Sequence, residues 1–133
     1  MIKTINQVAK YVYKSLGAGH EETIYRDAMS LELQDRGFTV KTEAPVSIHY
    51  KTKKGKKMIV GSGKIDLYVM KGKDYAVVEL KAVGRILKEN SKITKEDKKE
   101  YLQLKKYLEA LNVKAGLLIN FPFPPEKEPE IIV

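Results

Sequence analysis

Asp66 and the triplet Glu79-Leu80-Lys81 are the residues of this sequence best placed to do chemistry. They lie in two strand-like runs, Lys64 to Met70 and Tyr75 to Lys81, joined by Lys71-Gly72-Lys73-Asp74 as a tight hairpin. A two-residue loop at Gly72-Lys73 pairs Lys71 with Asp74, and a four-residue loop pairs Met70 with Tyr75. Both registers set Asp66 directly opposite Glu79, with Cβ atoms about 4.5–5.5 Å apart. A three- or five-residue loop would shift the pairing by one. Lys81, two residues beyond Glu79, projects from the same face. Opposed carboxylates in a covered sheet destabilise it unless something positive lies between them. Lys81 is one candidate and a divalent cation the other, and oxygen ligands favour magnesium or manganese. The plainer alternative is an ion pair of Glu79 with Lys81 or Lys64 at an exposed strand end.

Glu22 adds a third carboxylate. It precedes Tyr25 by three residues and Met29 by seven, which puts it on the inward face of a helix. Its other reading is capping: with Gly19 as N-cap, Glu22 falls at the third helical position, where a carboxylate favours the helix dipole. Gln103 and Tyr107 are four apart on a later helix and share one face, which is also what an ordinary amphipathic edge looks like. Lys51, Lys53, Lys54, Lys56 and Lys57 crowd around Gly55, either to grip phosphates or as a solvated hairpin tip.

Several other motifs are excluded. Gly61-Ser62-Gly63-Lys64 is no phosphate loop, because Met58 stands at the first glycine position, Ile65 replaces Ser or Thr, and a strand follows. His20-Glu21 opens no zinc helix, because Ile24 occupies the second histidine position. His49 lies in a strand and reads as structural.

The elements that must position these residues run α-α-β-β-β-α-β. Thr4 and Gln7 read as a capping box before Ile5, Val8, Val12 and Leu16 at helical spacing. Gly17-Ala18-Gly19 stops that helix, and a second runs from about His20 to Arg36, ended by Gly37. Strands follow at Phe38 to Lys51, Lys57 to Met70 and Tyr75 to Val83, then a polar loop from Gly84 to Ile93. Thr94 reads as the cap of a helix carrying Tyr101, Leu104, Leu108 and Leu111. Ala115 to Phe121 is a short apolar strand. Ala76-Val77-Val78 and Leu117-Leu118-Ile119 are apolar on both faces, so helices must cover both sides of the sheet. The fold is a three-layer α/β domain around a mixed sheet over residues 1–121. Residues 122–133, holding four of the five prolines, form an extended or disordered tail.

Composition bounds the function. The chain has 133 residues, enough for one domain. It has no cysteine, so disulfides, iron–sulfur clusters and thiol catalysis are out. With two histidines, a three-histidine metal site is out as well. No apolar run approaches the ~20 residues of a membrane span, and the first residues lack a signal peptide's apolar core. A cytoplasmic address without membrane contact is the simplest. Lys and Arg number 25 against 17 Asp and Glu, a net charge of +8 that suits a polyanionic partner.

Taken together, Asp66 and Glu79-Leu80-Lys81 resemble the D…(D/E)-x-K signature of the PD-(D/E)XK nuclease superfamily. Gly19-His20-Glu21-Glu22-Thr23-Ile24-Tyr25 looks like the G-x-x-E-x-x-Y motif of one branch, and Gln103 to Tyr107 is similar to the Q-x-x-x-Y motif of RecB-like and phage-exonuclease-like branches. Ile65 replaces the proline of the superfamily name. The resemblance covers roughly residues 5–121 and implies a restriction-endonuclease-like core. It also implies that Asp66, Glu79 and the Leu80 carbonyl hold Mg²⁺ or Mn²⁺, with Glu22 binding directly or through water. Lys81 would position the attacking water, Gln103 would orient it or a phosphate, and Tyr25 and Tyr107 would pack around the site or touch the nucleic acid. The lysines of residues 51–57 would bind nucleic acid, DNA ahead of RNA, with a homodimer left open. The expected activity is Mg²⁺-dependent hydrolysis of DNA phosphodiesters. The alternatives are an inactive nucleic-acid-binding module on the same fold and a basic adaptor for an acidic protein.

Overall fold

The structure is a computed structural model that describes residues 1–87 and 94–133. The end of the polar loop, residues 88–93, lies outside the described residues. The elements are α1 (Ile2–Leu16), α2 (Glu22–Asp35), β1 (Thr39–Lys51), β2 (Lys57–Lys71), β3 (Asp74–Lys81), a 3₁₀ turn (Lys95–Asp97), α3 (Lys99–Leu111), β4 (Ala115–Asn120) and β5 (Glu130–Ile132). The sheet order is β1-β2-β3-β4-β5. The β3–β4 pair is parallel and the others are antiparallel.

The doubly apolar strands are covered on both faces, as their composition requires. On one face α1 and α2 bury Ile5, Val8, Tyr25 and Met29 against Leu67, Val69, Val78 and Leu117. On the other, Leu104 and Tyr107 of α3 pack on Ala44, Val46, Ile65, Val77 and Leu118.

Three local readings are corrected. No Thr4 capping box forms: α1 starts at Ile2 with Met1 as N-cap and no side-chain cap. Thr94 does not open α3, because the 3₁₀ turn intervenes and Lys98 is the N-cap. The proline-rich tail returns to the sheet as β5, with Leu118↔Ile132 and Asn120↔Glu130 paired. Its composition hides this, since proline stops short of the three residues that make the ladder.

One irregularity decides where the site lies. Ile65 belongs to the α3 cluster, whereas Leu67, two residues on, belongs to the α1–α2 cluster. Side chains two apart in a regular strand share a face, so β2 turns over at Asp66. Opposite, β1 pairs Thr42↔Leu67 and then Ala44↔Ile65, stepping past Glu43 and Asp66. Glu43 has φ 51°, a left-handed conformation that costs a non-glycine residue about 1–3 kcal/mol. The inner part of the hairpin joins the sheet, and its outer part bends away toward α3.

Candidate active site

The β2–β3 register is the one read from the hairpin: Lys71↔Asp74 through Leu67↔Val78. The ladder ends there, one position short of Asp66 and Glu79, and side chains take over from the backbone. The Asp66 N–H donates to Glu79 Oε1 at 3.3 Å, and the Leu80 N–H donates to Asp66 Oδ2 at 2.7 Å. Each acidic side chain thus satisfies a backbone donor exposed by the opening of the sheet.

Glu22 arrives from α2. Gly17 and Gly19 take φ 76° and 97° to reverse the chain after α1. The Tyr25 hydroxyl locks that reversal, donating to the Gly17 carbonyl at 2.6 Å and accepting from the His20 N–H at 3.3 Å. The N-cap is Glu21, so Glu22 is the first helical residue and not the third, and no side-chain cap is made. Glu22 is instead half-buried beside Asp66.

The electrostatics follow from burial and proximity. Glu79 is 6% exposed, and burial, then the Asp66 charge, push its carboxyl up to about 8. Burial raises Asp66, opposed by the Leu80 N–H and the Lys81 ammonium. Burial and then Asp66 raise Glu22. Lys81 acts on all three, so one ammonium serves three carboxyl groups. An exposed ion pair of Glu79 with Lys64 or Lys81 is not what forms: Glu79 is buried, and no ion pair of it is found among the described residues.

Lys81 also faces the other way, into a cleft of about 670 Å³ that it lines with Ser62, Lys99, Gln103, Lys106 and Tyr107. Gln103 Nε2 donates to the Tyr107 hydroxyl at 3.0 Å. The Tyr107 ring rests on Gly63, where any Cβ would collide with its hydroxyl. The three carboxyl groups do not line this cleft; Lys81 connects it to them.

The sequence-read residues therefore separate. Glu22, Asp66, Glu79, Leu80 and Lys81 come together, and Gln103 and Tyr107 stand across the cleft from Lys81. Tyr25 does not face a ligand: it is fully buried, stacked on Phe121 at 4.2 Å between ring centroids. A tyrosine at a motif's end reads alike as contact or core, and only packing distinguishes them. Lys51, Lys53, Lys54, Lys56 and Lys57 are exposed at the far tip of the β1–β2 hairpin, away from the carboxyl cluster.

Two residues escaped the sequence reading. Arg26, one helical turn after Glu22, binds Glu43 and Asp27 at 3.0 Å each and draws down the pKa of Asp66 and Glu22. The Glu22–Arg26 spacing of four was the available signal. Glu43 had none, because its role depends on a backbone conformation unusual for glutamate.

As a donor set, Glu22, Asp66, Glu79 and the Leu80 carbonyl are all oxygen, carry mutual repulsion, and suit a hard divalent cation in type. They are not a closed cage: among the described residues, no three acidic or histidine side chains already stand in a metal-holding group.

A mixed sheet between helices, with an aspartate and a Glu-x-Lys on adjacent strands where the sheet opens, is a restriction-endonuclease-like α/β core. The family model of the PD-(D/E)XK nuclease superfamily matches residues 1–132, and the chain belongs to that superfamily. Among solved structures it is similar to the one described as "Crystal structure of SSO0001", at 18% identity and TM-score 0.48. That likeness covers 97% of this chain and 65% of the other, so the chain spans less than two-thirds of that protein's length. No curated protein matches it. Among the described residues, no helix is long and apolar enough to cross a membrane.

Proposed function

We propose that this chain is a divalent-metal-dependent nuclease of the G-x-x-E-x-x-Y branch, hydrolysing phosphodiester bonds of DNA. The observation that carries this reading is the interlock of Asp66 and Glu79 beside Lys81. Both carboxylates are held by backbone N–H groups where the β2–β3 ladder ends.

In this reading Asp66, Glu79 and the Leu80 carbonyl hold Mg²⁺ or Mn²⁺, and Glu22 completes the set directly or through water. A bound divalent ion lowers the pKa of a water and offsets the charge of the scissile phosphate. Lys81 positions the attacking water and stabilises charge developing on the phosphate. Gln103, oriented by its bond to Tyr107, holds that water or a phosphate oxygen from the opposite wall. The lysines at the hairpin tip supply salt-sensitive affinity for the backbone.

The test is incubation with labelled single-stranded, duplex and branched DNA, with Mg²⁺, with Mn²⁺ and with EDTA. Metal-dependent cleavage that Asp66→Ala abolishes is the expected result. Equal cleavage by wild type and Asp66→Ala defeats the proposal. Salt-sensitive binding with no cleavage would leave a binding module on the same fold.

A further inference from the structure

The β1–β2 hairpin outgrows the body of the protein. Every residue from Lys57 to Ser62 is exposed, a run of about 20 Å at ~3.3 Å per residue. Its surface is not that of a solvated loop: Tyr50, Met58, Ile59 and Val60 are 59%, 55%, 61% and 65% exposed. Four large apolar side chains standing together in water mark a contact surface.

Strand register decides which of them stand at the cleft. Val46 and Ile48 pack toward α3; the β1–β2 register then shifts between Ile48 and His49, and just beyond the shift Tyr50 pairs with Met58 next to the end of the cleft. The face of Val46 and Ile48 also carries Gly61 and Gly63: the space above Gly63 is filled by the Tyr107 ring, whereas Gly61 meets only Ile48 of the neighbouring strand. The cleft at Lys81 shares Ile48 and Lys106 with a second one of about 370 Å³, lined also by Ser47, His49 and Lys57. One groove therefore leads from Lys81 along α3 to the base of the hairpin tip. Its rim carries Lys99 and Lys106 among Glu100 and Glu109 on the helix side, Lys57 on the hairpin side and Lys81 at its inner end, a lysine excess.

A second copy of this chain is a poor occupant, because five lysines at the tip and a net charge of +8 would be brought against their like. A polyanion that also presents flat apolar faces fits both features. In duplex nucleic acid those faces are stacked away, and only unpaired bases expose them. We propose that the groove between the β1–β2 hairpin and α3 is a docking track for single-stranded nucleic acid. Unpaired bases lie on Tyr50 and Met58, and the phosphates run between Lys57, Lys99 and Lys106 toward Lys81. This rests on the nucleic-acid reading of the site and names the form of the substrate.

The test is equilibrium binding in EDTA, by fluorescence anisotropy of a labelled single-stranded oligonucleotide and of its duplex across a salt series. The wild type should bind the single strand at least about tenfold more tightly. Tyr50→Ala with Met58→Ala should weaken single-strand binding about tenfold, as removal of base stacking does, without changing the salt slope. Lys99→Gln with Lys106→Gln should lower that slope by about 0.7 for each phosphate that is no longer neutralised. All four positions are solvent-exposed or half-exposed, so folding is checked by an unchanged melting temperature. Equal affinity for duplex, or single-strand binding indifferent to removal of the Tyr50 and Met58 side chains, overturns the proposal. So does sedimentation showing a dimer that Tyr50→Ala dissociates. A protein that keeps the single-strand preference but cleaves nothing when Mg²⁺ is added supports the track and fails the nuclease reading alone.

Discussion

Asp66 and Glu79 hold each other's strands: the Glu79 carboxylate accepts from the Asp66 N–H, and the Asp66 carboxylate accepts from the N–H of Leu80, next to Glu79. Neither residue belongs to the β2–β3 ladder, which ends one pair earlier. The acidic pair is thus both the candidate chemistry and the seal of the sheet's opening. Substitutions there must be judged by fold and by activity together.

Removal of the Lys81 ammonium separates the two. Lys81 makes no ion pair among the described residues but offsets the charge of three carboxyl groups, so Lys81→Ala should leave far-ultraviolet circular dichroism unchanged and lower the melting temperature only slightly. Metal-dependent cleavage should fall about 10²–10³-fold, the scale for losing one transition-state donor. Cleavage within a factor of two of wild type would remove Lys81 from the reaction.

The acidic cluster makes metal-free stability depend on pH in a stated direction. The Glu79 carboxyl is raised from 4.5 to about 8 in the folded chain. The folded state holds a proton that the unfolded chain releases. This contribution is complete below about pH 4.5 and is lost as pH rises through about 8. Asp66 and Glu22 are shifted the same way. In EDTA, the melting temperature of Glu79→Gln relative to wild type should rise between pH 5 and pH 8. A difference that stays constant or shrinks would contradict the burial of charge at this site.

Gly63 should tolerate no side chain. A Cβ there would meet the Tyr107 hydroxyl, which receives the Gln103 amide at 3.0 Å. Gly63→Ala should cost about 1–3 kcal/mol in urea denaturation, the usual range for overpacking. Adding Tyr107→Phe should recover part of that stability. Absence of any recovery would place the strain elsewhere.

Glu130 anchors the chain segment that follows Lys81. It is 7% exposed and accepts from the Ile86 and Leu87 N–H groups at 2.8 and 2.7 Å and from the Asn120 amide at 3.1 Å. Glu130→Ala strands those donors and should cost about 1–3 kcal/mol. Amide exchange at Ile86 and Leu87 should quicken well before the core opens. Unchanged exchange there would show that β5 is dispensable to the loop.

Much of this was legible in the residues. Two-residue alternation and a Gly-Lys turn set the β2–β3 register, because a tight hairpin leaves few ways to pair its strands. Doubly apolar strands demanded helices on both faces, since a buried sheet must be covered. Glu22 could be assigned to an inward helix face from spacing alone.

What could not be read was whatever depends on contacts between distant segments. The burial of Tyr25 needs Phe121, nearly a hundred residues away, to stack on it. The tail's return as β5 needs the free edge of β4 and the buried Asn120, neither of which marks the tail's own sequence. The left-handed Glu43, the turnover of β2 at Asp66 and the groove under the hairpin arise when the outer strands bend toward α3. Local pattern reports which side chains want burial or pairing; which partners meet them is settled by packing the whole chain at once.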